Sequence, residues 1–220
     1  MRGAGLAADA EVVVQAGGVH VAGTLGLPDG ARGIVVFVHG SGSSRQSPRN
    51  RYVAARLDRA GLGTLLFDLL TVEEDADRAN VFDIDLLARR LLEVTTWLST
   101  RPDTADLSIG YFGASTGAAA ALSAAADPRA QVAAIVSRGG RPDLARAALG
   151  QVRAPTLLVV GGHDESVLQL NRAAQARLRC ENRLEIVPGA THLFEEPGAL
   201  ELVAELAARW FTTHLRVVPA

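Results

Sequence analysis

The segment Leu107–Ala126, LSIGYFGASTGAAAALSAAA, decides the fold. It opens as a β-rich apolar run, Leu107–Phe112, and ends as an alanine-rich helical stretch. Between the two lies Gly113-Ala114-Ser115-Thr116-Gly117, a G-x-S-x-G pattern. A serine held on a sharp strand-to-helix turn needs small neighbours two positions to either side, because a larger side chain would clash there. Gly113 and Gly117 supply them, and the small face of Ala118–Ala121 lets the helix pack close to a sheet. The start of that helix also sets a positive dipole end beside the serine. A tight turn with a purely structural serine would show the same five residues, so the rest of the chain has to decide.

Working outward, continuous apolar runs recur at Gly33–Val38, Gly63–Phe67, Val132–Val136, Thr156–Val160 and Leu184–Val187. Such runs suit strands covered on both faces. Upstream, Glu11–Ala16 and Val19–Leu27 are split by Gly17-Gly18 and read as an antiparallel hairpin. Helical patterns alternate with the strands. Val81, Ile84, Leu87, Leu91, Val94 and Leu98 step by three or four and form one stripe, stopped at Arg101-Pro102. A last helix is predicted to open at Pro197, with Leu202, Val203, Leu206, Trp210 and Phe211 on one face. Shorter helices fit Pro48–Ala60, Thr116–Ala126, Pro142–Leu149 and Glu165–Arg179. The expected fold class is α/β: a mostly parallel eight-stranded sheet with an antiparallel N-terminal hairpin and helices on both faces. Residues 1–220 read as a single domain, and Ser137–Ala154 leaves no room for a cap domain between the sixth and seventh strands.

In an open parallel sheet, ligands bind beyond the carboxyl ends of the strands. The residues just after each run are therefore the informative ones. Asp164 follows the seventh strand in GGHDE, and His192 follows the eighth in PGATHLF. A serine is a poor nucleophile until a base takes its proton, and the base needs an acid to orient it. The order Ser115, Asp164, His192 is the one expected for such a triad on this kind of sheet. Backbone N–H groups of Ser41, in His39-Gly40-Ser41-Gly42, and of Thr116 are the expected oxyanion hole. Arg45 and Arg138 fall in rim loops and are candidates for holding an anionic substrate group. His39 reads as a loop-fixing residue, Asp68 as a structural carboxylate, and His20 and His214 as surface residues. His163, beside Asp164, is the weaker candidate for the base.

Composition removes several classes. All 22 Lys and Arg positions are arginine, which excludes lysine Schiff bases and the lysine-dependent phosphate loop. The net charge of −2 offers no basic field for nucleic acid or anionic membrane. The lone Cys180 excludes an intramolecular disulfide and a four-cysteine zinc site. GSGSSR lacks the third glycine of a dinucleotide fingerprint. No metal and no cofactor are expected. The start, MRGAGLAADAEVVVQ, has no apolar core of a secretory leader, and no run is long enough to span a bilayer, so the expected location is cytoplasmic.

At HGSGSSR, GASTG, GGHDE and GATHLF the chain resembles the α/β-hydrolase superfamily, and more narrowly the small dienelactone-hydrolase-like group. The resemblance implies Ser115 as nucleophile, His192 as base and Asp164 as its partner. Dienelactone hydrolase itself uses a cysteine where this chain has Ser115. The expected function is hydrolysis of small carboxylic esters, thioesters or lactones through an acyl-enzyme. The expected partner is that small molecule, with neither nucleic acid nor membrane, and with a second copy of the chain as the candidate protein partner. Rival readings are acyl transfer or perhydrolysis on the same triad, a non-catalytic binding protein, and a Rossmann oxidoreductase.

Overall fold

A computed structural model describes residues 9–215. The sequence reading of Met1–Ala8 as free of a leader lies outside the described residues. Eight strands form one sheet in the order β1-β2-β4-β3-β5-β6-β7-β8. These are β1 (Ala10–Ala16), β2 (Val19–Gly26), β3 (Ile34–Val38), β4 (Gly63–Phe67), β5 (Ile109–Ala114), β6 (Val132–Arg138), β7 (Thr156–Gly161) and β8 (Asn182–Val187). The β1–β2 hairpin turns on Gly17 and Gly18, both at positive φ, and pairs antiparallel with β4. Every other pairing is parallel. Each residue of β3, β4, β5 and β7 is buried, which is why their sequences run apolar without alternation.

Helices α1 (Pro48–Arg59) and α7 (Ala199–His214) cover one face of the sheet. The other face is covered by α4 (Ile84–Thr100), α5 (Thr116–Ala125), α6 (Glu165–Gln175) and a 3₁₀ segment, Pro142–Gln151. Two one-turn helices, α2 (Val72–Asp75) and α3 (Arg78–Val81), lie between β4 and α4. In α4 the side chain of Asp83 caps the Leu86 N–H at 2.9 Å, and Leu87, Leu91, Val94 and Leu98 are buried. The predicted stripe is therefore correct from Ile84 on, whereas Val81 belongs to α3. The last helix starts at Ala199, not Pro197, because Gly198 sits in left-handed backbone (φ 81°) just before it. The segment after β6 is 3₁₀ and breaks at Arg146, whose φ of 49° no right-handed helix accepts. No helix of the described residues is long and apolar enough to cross a membrane.

Candidate functional site

Three loops at the carboxyl ends of β5, β7 and β8 carry the three sequence-predicted side chains. Ser115 holds φ 51° and ψ −120°, a left-handed conformation rare for a residue with a Cβ. The backbone packs hard around it. A Cβ on Gly113 would lie 2.5 Å from the Ala118 Cα, and one on Gly117 would lie 2.1 Å from the Val38 carbonyl oxygen. Only glycine fits at either place, so the G-x-S-x-G pattern is a steric requirement of the turn. The Ser115 N–H donates to the Arg138 carbonyl at 3.3 Å, and the Ser115 carbonyl accepts from the Arg141 N–H at 3.0 Å. The turn is thus clamped by the loop after β6.

Asp164 precedes α6 but does not cap it. Its Oδ2 lies 2.6 Å from His192 Nδ1. A Cβ on Gly161 would stand 2.4 Å from the Ala190 carbonyl oxygen, so glycine lets the acid strand and the histidine loop close on each other. The His163 N–H donates to the Ala190 carbonyl at 2.9 Å, which ties the same two loops, and the His163 side chain faces solvent. His192 reaches back over the loop after β6: a Cβ on Gly139 would lie 3.5 Å from its Cε1. Ser115 and His192 therefore flank one loop, residues 138–141. No hydrogen bond joins the Ser115 hydroxyl to His192 among the described residues. Phe194, buried with φ 56°, bends the histidine loop into the core.

On the other side of β5, the loop after β3 approaches the elbow. A Cβ on Gly40 would lie 3.0 Å from the Ser115 Cβ. The Ser41 N–H donates to Thr116 Oγ1 at 2.9 Å, a contact that sequence reading did not anticipate. His39 is partly buried, and the loss of solvent around its ring lowers its pKa below the usual value despite the bond to the Gly40 carbonyl. Its Nε2 accepts the Leu69 N–H at 3.1 Å, so Nδ1 carries the proton and faces the Gly40 carbonyl at 3.0 Å. His39 thereby fixes the glycine loop to the end of β4. A recess of about 10 Å³, room for one water, lies between His39, Ser41, Leu69, Leu70 and Thr116.

The two candidate arginines differ. Arg45 is engaged elsewhere: its guanidinium lies 2.7 Å and its N–H 2.8 Å from the Asp68 carboxylate, with Glu11 at 3.5 Å. Asp68 is the structural carboxylate it was expected to be. Arg138 ends β6, is 7% exposed, and sets its guanidinium 5.8 Å from the Phe194 ring. Burial, and then the neighbouring Arg49 charge, pulls its pKa down to about 10. His20 is exposed as expected, but His214 is largely covered, stacked at 4.5 Å on Trp210. Among the described residues no cluster of His, Cys, Asp and Glu is arranged to hold a metal ion.

A parallel sheet with an antiparallel leading hairpin, a strained serine on the β5–α5 turn and an Asp–His pair at its rim define a hydrolase of the α/β-hydrolase fold. The dienelactone hydrolase family model matches residues 21–216, and the chain belongs to that family. It is 57% identical to a dienelactone hydrolase from Anabaena variabilis, over 94% of this chain and 98% of that one, with a TM-score of 0.92. Est1E from Butyrivibrio proteoclasticus shares the fold at 17% identity, covering 93% of this chain and 98% of its own, with a TM-score of 0.78. A Mycobacterium tuberculosis protein with a provisional phosphoribosyl transferase name is 67% identical over 207 residues, or 94% of this chain and 47% of its own length. The chain thus spans about half of that relative.

Proposed function

We propose that the chain is a serine-type hydrolase of small carboxylic esters, thioesters or lactones. The observation that carries this reading is Ser115 at φ 51° and ψ −120°, on the rim that also holds His192 bonded to Asp164 at 2.6 Å. In the first step the Ser115 oxygen adds to the substrate carbonyl while His192 Nε2 takes the hydroxyl proton. Asp164 keeps Nδ1 as the donor and stabilises the imidazolium. The tetrahedral oxyanion sits between the start of α5 and the loop after β3, where the Thr116 N–H is one proposed donor and the Ser41 N–H the other, the latter turning to the oxyanion from the Thr116 Oγ1 that it meets at 2.9 Å in this structure. His192 returns the proton to the departing alcohol or thiol, leaving an acyl-serine. Water, deprotonated by the same imidazole, then releases the acid and restores the hydroxyl. Before turnover the Ser115 hydroxyl has to rotate onto His192; catalytic hydrogen bonds often tighten only with substrate bound.

The phosphoribosyl transferase name of the mycobacterial relative describes a protein about twice as long, and we assign that activity to the half this chain does not match. That relative puts both parts in one polypeptide, which places phosphorylated esters among the substrates worth screening. The deciding experiment compares wild type with Ser115→Ala on short-chain aryl esters and on labelling by a fluorophosphonate. The expected result is a fall of at least about 10³-fold in turnover and loss of the label. Undiminished hydrolysis by Ser115→Ala removes this serine from the role.

A further inference from the structure

Asparagine is a poor helix former, and burying its amide costs free energy unless the polar atoms find partners. Asn171 stands inside α6 and is 0% exposed. Its Nδ2 donates to the Val167 carbonyl, one turn back in the same helix, at 2.8 Å. It also donates to the Gly140 carbonyl, 31 residues away in sequence, at 3.0 Å. Among the described residues its Oδ1 is buried without a partner. Packing alone does not call for such a side chain. Val167 and Ala174 lie on the same buried face of α6, and an apolar residue between them would continue that stripe without burying an amide. What Asn171 adds is the bond that leaves the helix, to Gly140.

Gly140 belongs to the loop that grips the nucleophile. The Arg138 carbonyl accepts the Ser115 N–H and the Arg141 N–H donates to the Ser115 carbonyl, so the elbow is held by the two residues that flank Gly139-Gly140. Gly139, at φ 52°, donates its N–H to the Val159 carbonyl at 2.8 Å and abuts the His192 ring. The loop has no room to steady itself with side chains of its own: a Cβ on Gly140 would lie 2.0 Å from Ser137 Oγ and 2.7 Å from the Ala118 Cβ. Support comes from α6 instead. That helix begins directly after Asp164, whose carboxylate meets His192 Nδ1 at 2.6 Å. One amide thus ties the helix that follows the acid to the loop that holds Ser115 and touches the imidazole. A misplacement of about 1 Å between reacting groups can cost about 10²-fold in rate. We propose that Asn171 is a positioning residue, whose bond to the Gly140 carbonyl sets the spacing between Ser115 and the Asp164–His192 pair. The inference rests on the serine-hydrolase reading and adds to it a residue that touches no substrate.

The test measures kcat, KM and the rate of fluorophosphonate labelling per folded molecule, with phenyl acetate as substrate, for wild type, Asn171→Ala, Asn171→Asp and Ser137→Ala. In Asn171→Ala, kcat and labelling should fall about ten- to hundredfold while KM stays within about threefold, because the lost bond orients reacting groups and binds nothing. Ser137→Ala removes a buried hydroxyl beside the same Gly140 that has no partner among the described residues, and its kcat should stay within about twofold of wild type. Asn171→Asp keeps the shape and supplies a pH signature. An ionised carboxylate cannot donate to Gly140, whereas a protonated one can, and burial raises the pKa at which the change occurs. The deficit of Asn171→Asp relative to wild type should therefore narrow as pH falls, whereas that of Asn171→Ala should not. If neither variant at 171 folds, the wild type decides: labelling Ser115 should shift the Asn171 side-chain amide resonances, and unmoved resonances overturn the proposal. A kcat within about twofold of wild type in folded Asn171→Ala, a loss confined to KM, or an Asn171→Asp deficit indifferent to pH overturns it too, and leaves the hydrolase reading to Ser115→Ala. A wild type inert to phenyl acetate and to fluorophosphonate overturns both.

Discussion

Gly117 shows how much of the site is set by single atoms. A Cβ there would meet two backbone oxygens, Val38 at 2.1 Å and His39 at 2.4 Å, and neither can step aside as a flexible side chain would. Gly117→Ala should therefore cost about 1–3 kcal/mol or more, read as a lower urea midpoint, and should displace the elbow so that Ser115 labels slowly. His39 makes a different demand. Burial lowers its pKa below 6.5, and its Nε2 must stay unprotonated to accept the Leu69 N–H. The unfolded chain takes up this proton first as pH falls. Stability from His39 is thus complete above its unfolded pKa near 6.5 and drains away as pH drops through its lower folded value. Urea midpoints across pH 7.5 to 5 should fall more steeply for wild type than for His39→Asn. The elbow was legible in sequence because its constraint is local, two glycines about a serine. The capture of Arg45 by Asp68 was not: the pair is 23 residues apart, and either residue alone looks like an ordinary rim charge.

Among elements, the pair of short helices after β4 escaped the sequence reading. Neither α2 nor α3 is long enough to show an apolar stripe, since each spans four residues. One signal was present: Thr71 and Glu74 form a reciprocal capping box, a pattern visible as T-x-x-E. Glu74 also grips Arg90 of α4 through both oxygens, at 2.8 and 3.1 Å, and the Arg90 hydrogen bond is the main reason its pKa is lowered. Arg90 is almost fully buried, so losing its partner should be felt. Glu74→Gln is expected to cost about 1–2 kcal/mol and to speed amide exchange over residues 71–83. In wild type the same contribution holds above the ordinary glutamate pKa and is lost as pH falls through the lower folded one. The long helices were readable because a buried face repeats its period several times. Their ends were not: the start of α7 depends on Gly198 adopting left-handed backbone, which Pro197-Gly198 in sequence does not specify.

For the molecule as a whole, parallel strands give the sheet two unlike ends. The carboxyl end gathers the loops of Ser115, Asp164 and His192, and that convergence followed from strand order alone once each residue was seen to trail its own apolar run. The register that sets Arg138 against Phe194 and Arg49 was out of reach, because it depends on which face of β6 the last residue takes. The amino end carries Cys180, partly covered, with its Sγ 3.7 Å from the hydroxyl of Thr156 at the start of β7. Burial raises the pKa of this thiol, so maleimide should couple slowly at neutral pH and faster as pH rises. Complete coupling should leave ester turnover within about twofold of the untreated protein, since a strand of this length separates the two ends by roughly 20 Å. With no lysine in the chain, no side-chain amine offers a competing attachment. A bead or electrode grafted through that sulfur would present each molecule in one orientation, entrance turned to the solution, without any engineered tag.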